Sequence, residues 1–155
     1  MSGVLTCLLR LVVILAGYVA ASLAASAFLH VIVFAWAGFE PGDAPAFVAG
    51  SLIFSIPFVA MFVAYFGFIP SVAVVLIGEF LARRDWLTYA LGGGAVAAVF
   101  LAFLHEASDP GLEAASPGMM ATILGSGIVG GIFYWLVAGR TAGSWRAPAA
   151  ISPGP

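Results

Sequence analysis

Charge is what this chain has least of. Charged residues make up 8% of its 155 residues and hydrophobic residues 63%, and the mean hydropathy is +1.16. Soluble domains carry about 25% charged residues. So little charge excludes an ordinary water-soluble fold and predicts an all-α polytopic membrane protein, whose main partner is the lipid bilayer.

The chain also lacks clustered cations, cysteine pairs and recognisable catalytic motifs. Its five cationic residues and net charge of -2 provide no patch that could follow phosphates, so we expect no nucleic acid partner. Cys7 is the sole cysteine and cannot form an internal disulfide. There is no phosphate loop, nucleophile elbow, zincin helix or dinucleotide fingerprint, and no nucleophile, base and orienting group occur together. We therefore expect no cofactor and no enzymatic activity.

Four apolar runs predict transmembrane helices within a single membrane domain, residues 1–140. These runs cover residues 11–36, 46–69, 86–104 and 119–139. The first would rise about 39 Å as a helix, which is enough to cross a hydrocarbon core of about 30 Å. Residues 141–155 are rich in proline and alanine, and we predict a short disordered cytoplasmic tail there.

The segment at residues 71–82 is too short to cross by itself, and two interpretations remain open. Pro70 favours a break, after which a short helix would lie at the inner interface or re-enter the bilayer from it. Alternatively, one long kinked helix runs from Ala46 to Ala82.

The arginines predict the orientation of the chain. They precede the first span, lie between the second and third spans, or follow the fourth span: Arg10, Arg83, Arg84, Arg140 and Arg146. Under the positive-inside rule these positions face the cytoplasm, so both termini are predicted to be cytoplasmic.

The first apolar run also has features of a signal peptide. Arg10, the apolar residues 11–23 and the small residues 25–27 match a charged region, an apolar region and a cleavage site. The apolar run continues to Ala37, which favours an uncleaved span. Both possibilities remain open at the level of sequence.

Four side chains with polar groups, Tyr18, Ser22, Ser26 and His30, occur four residues apart in the first span. Residues at this spacing lie along one side of a helix, and small or hydroxyl side chains there favour close contact with another helix. A proton path would need several acids or histidines in series, whereas this row contains only His30. We therefore interpret the row as a packing surface.

Two further sets of side chains are weak candidates for a functional site. His30, His105 and Glu106 are predicted near the outer side, and imidazole with carboxylate suits zinc, but the H-E-A-S-D spacing matches no strong ligand pattern, so no metal site is expected. Glu79 is predicted to pair with Arg83 or Arg84 one turn away, or else to act as a coupling carboxylate.

Glycines are concentrated in the last two spans. Gly127, Gly130 and Gly131 in the fourth span, and residues 92–94 in the third, leave two helix surfaces with little side-chain bulk. Such surfaces favour close helix–helix packing, either within the chain or with a partner.

Two segments, FIPSVAVVLIGEFLARRDWLTYALGGG and GIVGGIFYWLVAGRTAG, resemble conserved blocks of short four-span inner-membrane proteins of the alphaproteobacterial kind. That group has no assigned activity, so the resemblance implies a bacterial inner-membrane location and no catalytic residue.

The sequence thus favours a non-catalytic membrane subunit or assembly protein that packs through small-residue helix faces against another membrane protein or itself. The alternative is a small homo-oligomeric transporter or channel for an ion or small solute, with Glu79, His30 or His105 in its path.

Overall fold

The computed structural model describes residues 3–38, 45–107 and 116–144. These residues form four α-helices, followed by one turn of 3-10 helix at Gly139–Thr141: α1 (Gly3–Trp36), α2 (Pro45–Phe80), α3 (Trp86–Ala107) and α4 (Pro117–Val137). Each α-helix is long and apolar enough to cross a membrane. The predicted all-α, four-span fold is confirmed.

The helices form an antiparallel ring in which each contacts its neighbours in the chain and α4 closes back onto α1. Packing is most extensive between α3 and α4 and between α1 and α4, while α2 is attached less extensively to α1 and α3. One end of the ring, called the basic end below, contains the starts of α1 and α3 and the ends of α2 and α4. The described arginines lie there: Arg10, Arg83, Arg84 and Arg140.

Small residues fill the interior and large apolar residues cover the outside. The buried apolar side chains are alanines, except for Tyr89 and Tyr134, while Phe54, Ile69 and many similar residues are exposed. Lipid is as apolar as leucine, so burying large side chains gives little advantage, whereas small ones allow helix backbones to approach closely. This distribution is the expected one for a bundle embedded in lipid.

Helix α2 is continuous through Pro57 and Pro70 and ends at Phe80. The separate short helix expected over residues 71–82 is not formed, and the alternative of one long helix describes the chain. Pro70 removes one helical hydrogen bond, but unwinding the backbone within lipid would leave several polar groups without partners. Continuing the helix is therefore the less costly arrangement. At about 54 Å, α2 is longer than the hydrocarbon core is thick.

Local hydrogen bonds determine where the helices begin and end. Ser116 caps α4 by accepting a bond from the Met119 amide at 3.3 Å. Asp85 does the same for α3, accepting from the Thr88 amide at 2.9 Å and the Thr88 hydroxyl at 2.5 Å. These two donors stabilise the charged carboxylate and hold the pKa of Asp85 below its usual value.

Besides the end of α2, the largest differences from the predicted boundaries are at the start of α1 and after α4. Helix α1 begins at Gly3, before the predicted start at Leu11. Arg10 is part of the helix, where its charge is paired with Glu79. The tail was predicted from residue 141, yet residues 141–144 turn back onto the bundle and Ala142 is fully buried. The remainder of the predicted disordered tail, residues 145–155, lies outside the described residues.

Candidate functional site: a buried ion pair at the basic end

The most polar point inside the bundle is an ion pair between α1 and α2. Arg10 is 8% exposed and Glu79 is 6% exposed. The guanidinium donates from both Nε, at 3.1 Å, and Nη2 to the Glu79 Oε1. Two full charges are thus removed from solvent together, at a separation of 69 residues in the chain.

The chain that follows α4 supplies the remaining partners of these two charges. Arg10 Nη1 donates to the Thr141 hydroxyl at 2.7 Å, and Nη2 donates to the Ala138 carbonyl at 3.1 Å. The Gly143 amide donates to Glu79 Oε2 at 3.1 Å. We call Arg10, Glu79, Ala138, Thr141 and Gly143 the ion-pair cluster. It connects α1, α2 and the end of α4 at one point.

This geometry suits a structural connection better than proton or ion transfer. A buried ion pair is tolerated when additional hydrogen bonds satisfy both charges, which is the situation here. Both carboxylate oxygens of Glu79 already accept hydrogen bonds from the protein. Removing either charge would leave the other buried without its counter-charge, so the ion-pair cluster holds three chain segments in one arrangement.

The partner of Glu79 differs from the two arginines expected from the sequence. Because α2 ends at Phe80, Arg83 and Arg84 lie beyond a turn and not one helical turn along from Glu79. Arg84 instead donates from Nε to the Ala142 carbonyl at 3.0 Å. The sequence indicated that Glu79 needs a partner. It could not identify Arg10 as that partner, because the pairing depends on the antiparallel contact of α1 with α2.

Tyr89 fits between two glycines beside the ion-pair cluster. Its hydroxyl donates to the Arg83 carbonyl at 3.0 Å. A Cβ on Gly78 would lie 2.6 Å from that hydroxyl, and a Cβ on Gly139 would lie 2.7 Å from the ring. These two glycines therefore make the room in which Tyr89 connects α3 with the ends of α2 and α4.

The polar row of α1 forms what we call the α1–α2 seam. Tyr18 donates to the Ala64 carbonyl at 2.5 Å, and Ser26 donates to the Ile56 carbonyl at 2.8 Å. Ser22 donates within α1, to the Tyr18 carbonyl at 3.0 Å. The row thus supplies two hydrogen bonds from α1 side chains to the α2 backbone.

Glycines bring helix backbones together at what we call the α3–α4 seam. Gly93 and Gly127 face each other so closely that a Cβ on either would collide with the backbone of the other. Gly131 contacts the Tyr89 backbone in the same way. On the side facing α1, a Cβ on Gly130 would lie 3.1 Å from the Ala21 carbonyl oxygen. The glycine surfaces noted in the sequence are thus in contact with other helices of the same chain.

The histidines do not form a recognisable metal centre with other described side chains. His30 Nδ1 lies 2.8 Å from the Ser26 carbonyl, within α1. His105 and Glu106 are exposed in the last turns of α3. Within residues 3–38, 45–107 and 116–144, no group of three potential metal ligands comes together. The acidic residues Glu40, Asp43, Asp109 and Glu113 lie outside the described residues.

Two adjoining cavities lie beside α2, and both are partly open to the outside of the bundle. The smaller has a volume of about 90 Å³, and side chains of Tyr18, Ser22, Ser71, Tyr89 and Tyr134 contribute to its lining. The larger, of about 270 Å³, is lined mainly by apolar side chains, including Leu29, Phe62, Phe66 and Phe100. Ala25, Val63, Gly67, Val96 and Gly127 border both, so the two cavities adjoin each other. The residue pattern did not indicate these cavities, because they result from how far apart α2 and its neighbours lie.

Comparison with known proteins adds no family to this description. No protein-family model, curated protein or solved structure matches the chain.

Proposed function

We propose that this protein is a non-catalytic subunit of a membrane complex, and that its α2 helix binds a transmembrane helix of another membrane protein. The observation that carries the proposal is the position of Tyr65. This side chain is 77% exposed on the outside of the bundle.

The depth of Tyr65 makes its exposure unusual. Its neighbours Phe66 and Gly67 pack against Phe100 and Val96, which lie near the middle of α3. A tyrosine exposed to the bilayer normally lies at the headgroup layer, where its hydroxyl meets water. At the middle of the span, the hydroxyl gains most from an acceptor on a neighbouring protein.

The surroundings of Tyr65 support a docking surface of considerable length. Phe54, Phe58, Met61 and Ile69 are exposed along the same side of α2, at intervals of three or four residues. We call these four residues and Tyr65 the outer α2 face. The glycine surfaces contact other helices of the same chain. We therefore assign the binding of a partner protein, which the sequence suggested for small-residue faces, to the outer α2 face.

Site-specific photocrosslinking in native membranes tests this proposal. A benzophenone amino acid at position 65 should give one discrete adduct with another membrane protein, identified by mass spectrometry. The matched control is position 91, since Leu91 on α3 is 65% exposed and should give no such adduct. The variant Tyr65→Phe should reduce recovery of the same partner in gentle purification. Equal adducts at both positions, or none at position 65, would contradict the proposal.

An adduct with twice the mass of the chain would favour the alternative, a small homo-oligomeric transporter or channel. The cavity linings support that alternative less well for an ion, because they contain no charged side chain among the described residues. Flux across liposomes, with Glu79→Gln as the diagnostic variant, would then be measured over a panel of ions.

We further propose that both termini face the cytoplasm of a bacterial inner membrane. The described arginines lie at the basic end, which supports this orientation. Cys7 is exposed near that end and provides a natural probe. An impermeant maleimide should fail to label Cys7 in intact spheroplasts and should label it after lysis. His105→Cys in a Cys7→Ser background should be labelled in intact cells; the reverse pattern would overturn the orientation.

A further inference from the structure

We propose that the two adjoining cavities between α2 and the other helices together form a binding site for an amphiphile that has one apolar chain and an uncharged oxygen head. The hydroxyl of Tyr134 would bind the head, and the larger cavity would hold the chain. No residue of the outer α2 face lines either cavity, so this site is separate from that face.

Tyr134 is the first observation that supports the proposal. Its side chain is 5% exposed, it lines the smaller cavity, and its buried hydroxyl has no hydrogen-bond partner among the described residues. Leaving a buried hydroxyl unsatisfied is costly, so a ligand oxygen that accepts its hydrogen bond would be stabilised there.

The neighbouring hydroxyls distinguish Tyr134 from the rest of the lining. Tyr18 donates to Ala64, Ser22 donates to Tyr18, and Tyr89 donates to Arg83. Each of these groups therefore has a protein acceptor already. Among the described tyrosines that line this cavity, Tyr134 is therefore the one whose hydroxyl can still donate a hydrogen bond to a ligand.

The lining also indicates that the head is uncharged. No charged side chain of the described residues lines either cavity. The nearby charges, Arg10 and Glu79, bind each other and the chain after α4. An ionic head would be desolvated here without a counter-charge, which is strongly unfavourable.

The size of the larger cavity indicates the length of the chain. Its volume is about 270 Å³, and its lining is almost entirely apolar. A cavity of about 150 Å³ holds benzene, which has six carbons, so this space has room for roughly ten carbons. Gly67 and Gly127 border both cavities, at the place where the head and the chain of the ligand would meet.

The test uses the purified full-length protein in lipid nanodiscs and a ten-carbon alcohol that carries a diazirine near the far end of its chain. The matching ten-carbon hydrocarbon with the same diazirine is the second probe. Peptide mass spectrometry after irradiation locates the labelled residues. We expect the alcohol to label the less exposed lining of the larger cavity, including Ala97 and Phe100, in preference to the exposed Leu91.

Two variants separate head recognition from chain binding. Tyr134→Phe retains the ring but loses the hydroxyl, and should reduce alcohol labelling of the cavity about three- to tenfold while leaving hydrocarbon labelling unchanged. Val63→Phe adds bulk where the two cavities meet and should abolish labelling by both probes. Tyr65→Phe, which removes a hydroxyl on the outside, should change neither.

Three results would overturn the proposal. Labelling spread evenly between cavity and outward residues would indicate simple partition into lipid. Equal labelling of wild type and Tyr134→Phe by the alcohol would show that the hydroxyl does not recognise the head. Complete absence of cavity labelling in folded wild-type protein would show that the amphiphile does not bind there.

Discussion

The two seams of this bundle hold helices together by opposite means. At the α3–α4 seam, glycines allow the backbone of one helix to contact the backbone of the other directly. At the α1–α2 seam, the Tyr18 and Ser26 hydroxyls reach across to carbonyls of α2, and cavities remain beside that helix. The first seam cannot accept added volume, whereas the second depends on a few directional bonds.

This difference shows how a small membrane protein can combine a rigid part with an adaptable one. Without a strong hydrophobic drive between helices in lipid, close packing and hydrogen bonds must supply the association energy. The α3–α4 seam uses packing, and α2 is held by the α1–α2 seam together with the ion-pair cluster at one end. Helix α2 is therefore the element expected to move most readily, and both proposed sites involve it.

The largest expected effect comes from breaking the ion-pair cluster. Either Arg10→Met or Glu79→Gln should lower the free energy of unfolding by about 3–5 kcal/mol, because the remaining charge stays buried without its counter-charge. The double variant Arg10→Met/Glu79→Leu should recover most of that loss. SDS titration in mixed micelles, followed by tryptophan fluorescence, measures these differences.

The exposed Arg83 is the matched control for this prediction, since the sequence favoured it as a partner of Glu79. Arg83→Met should change the free energy of unfolding by less than about 0.5 kcal/mol. A loss for Arg83→Met equal to that for Arg10→Met would refute the assignment of the ion pair to Arg10.

The next largest effect should come from adding one methyl group to the α3–α4 seam. In Gly131→Ala the new Cβ would lie 2.8 Å from the Tyr89 carbonyl carbon and 3.2 Å from the Ala90 Cα. Because backbone atoms cannot move aside like a flexible side chain, we expect a loss of about 3 kcal/mol. Gly50→Ala is the control, since nothing lies within 4 Å of a Cβ there, and it should retain full stability. Equal melting temperatures for the two variants would disprove backbone contact at the seam.

A smaller effect should distinguish the two serines of the α1–α2 seam. Ser26→Ala removes a bond to the Ile56 carbonyl and should cost about 1 kcal/mol. Ser22→Ala removes only a bond within α1, so its effect should be near zero. The same SDS titration compares the two, and a larger loss for Ser22→Ala would contradict the seam as described.

The amino-acid sequence predicted the elements of this fold much better than their relationships. Apolar run length located four helices, because lipid requires each crossing segment to satisfy its own backbone. It did not show that α2 continues through Pro70, since the cost of a proline depends on what surrounds the freed carbonyl. The partner of Glu79 and the orphan hydroxyl of Tyr134 were beyond reach for a similar reason. Both depend on which helices are neighbours and how far apart they lie, which residue types and spacing do not specify.

The smallest predicted effect concerns the turn that separates α2 from Arg83 and Arg84. The Arg83 amide donates to the Gly78 carbonyl at 3.0 Å and the Ala82 amide to the Glu79 carbonyl at 3.3 Å, and Ala82 has a φ of 51°. This is a Schellman turn, in which glycine is preferred because a Cβ is strained at positive φ. Ala82→Gly should therefore raise the free energy of unfolding by about 0.5–1 kcal/mol. Ala95→Gly, the same change at an exposed position inside α3, should lower it by about 1 kcal/mol. If both variants lost stability alike, the left-handed turn would not be what ends α2, and the displacement of Arg83 and Arg84 from Glu79 would need another cause.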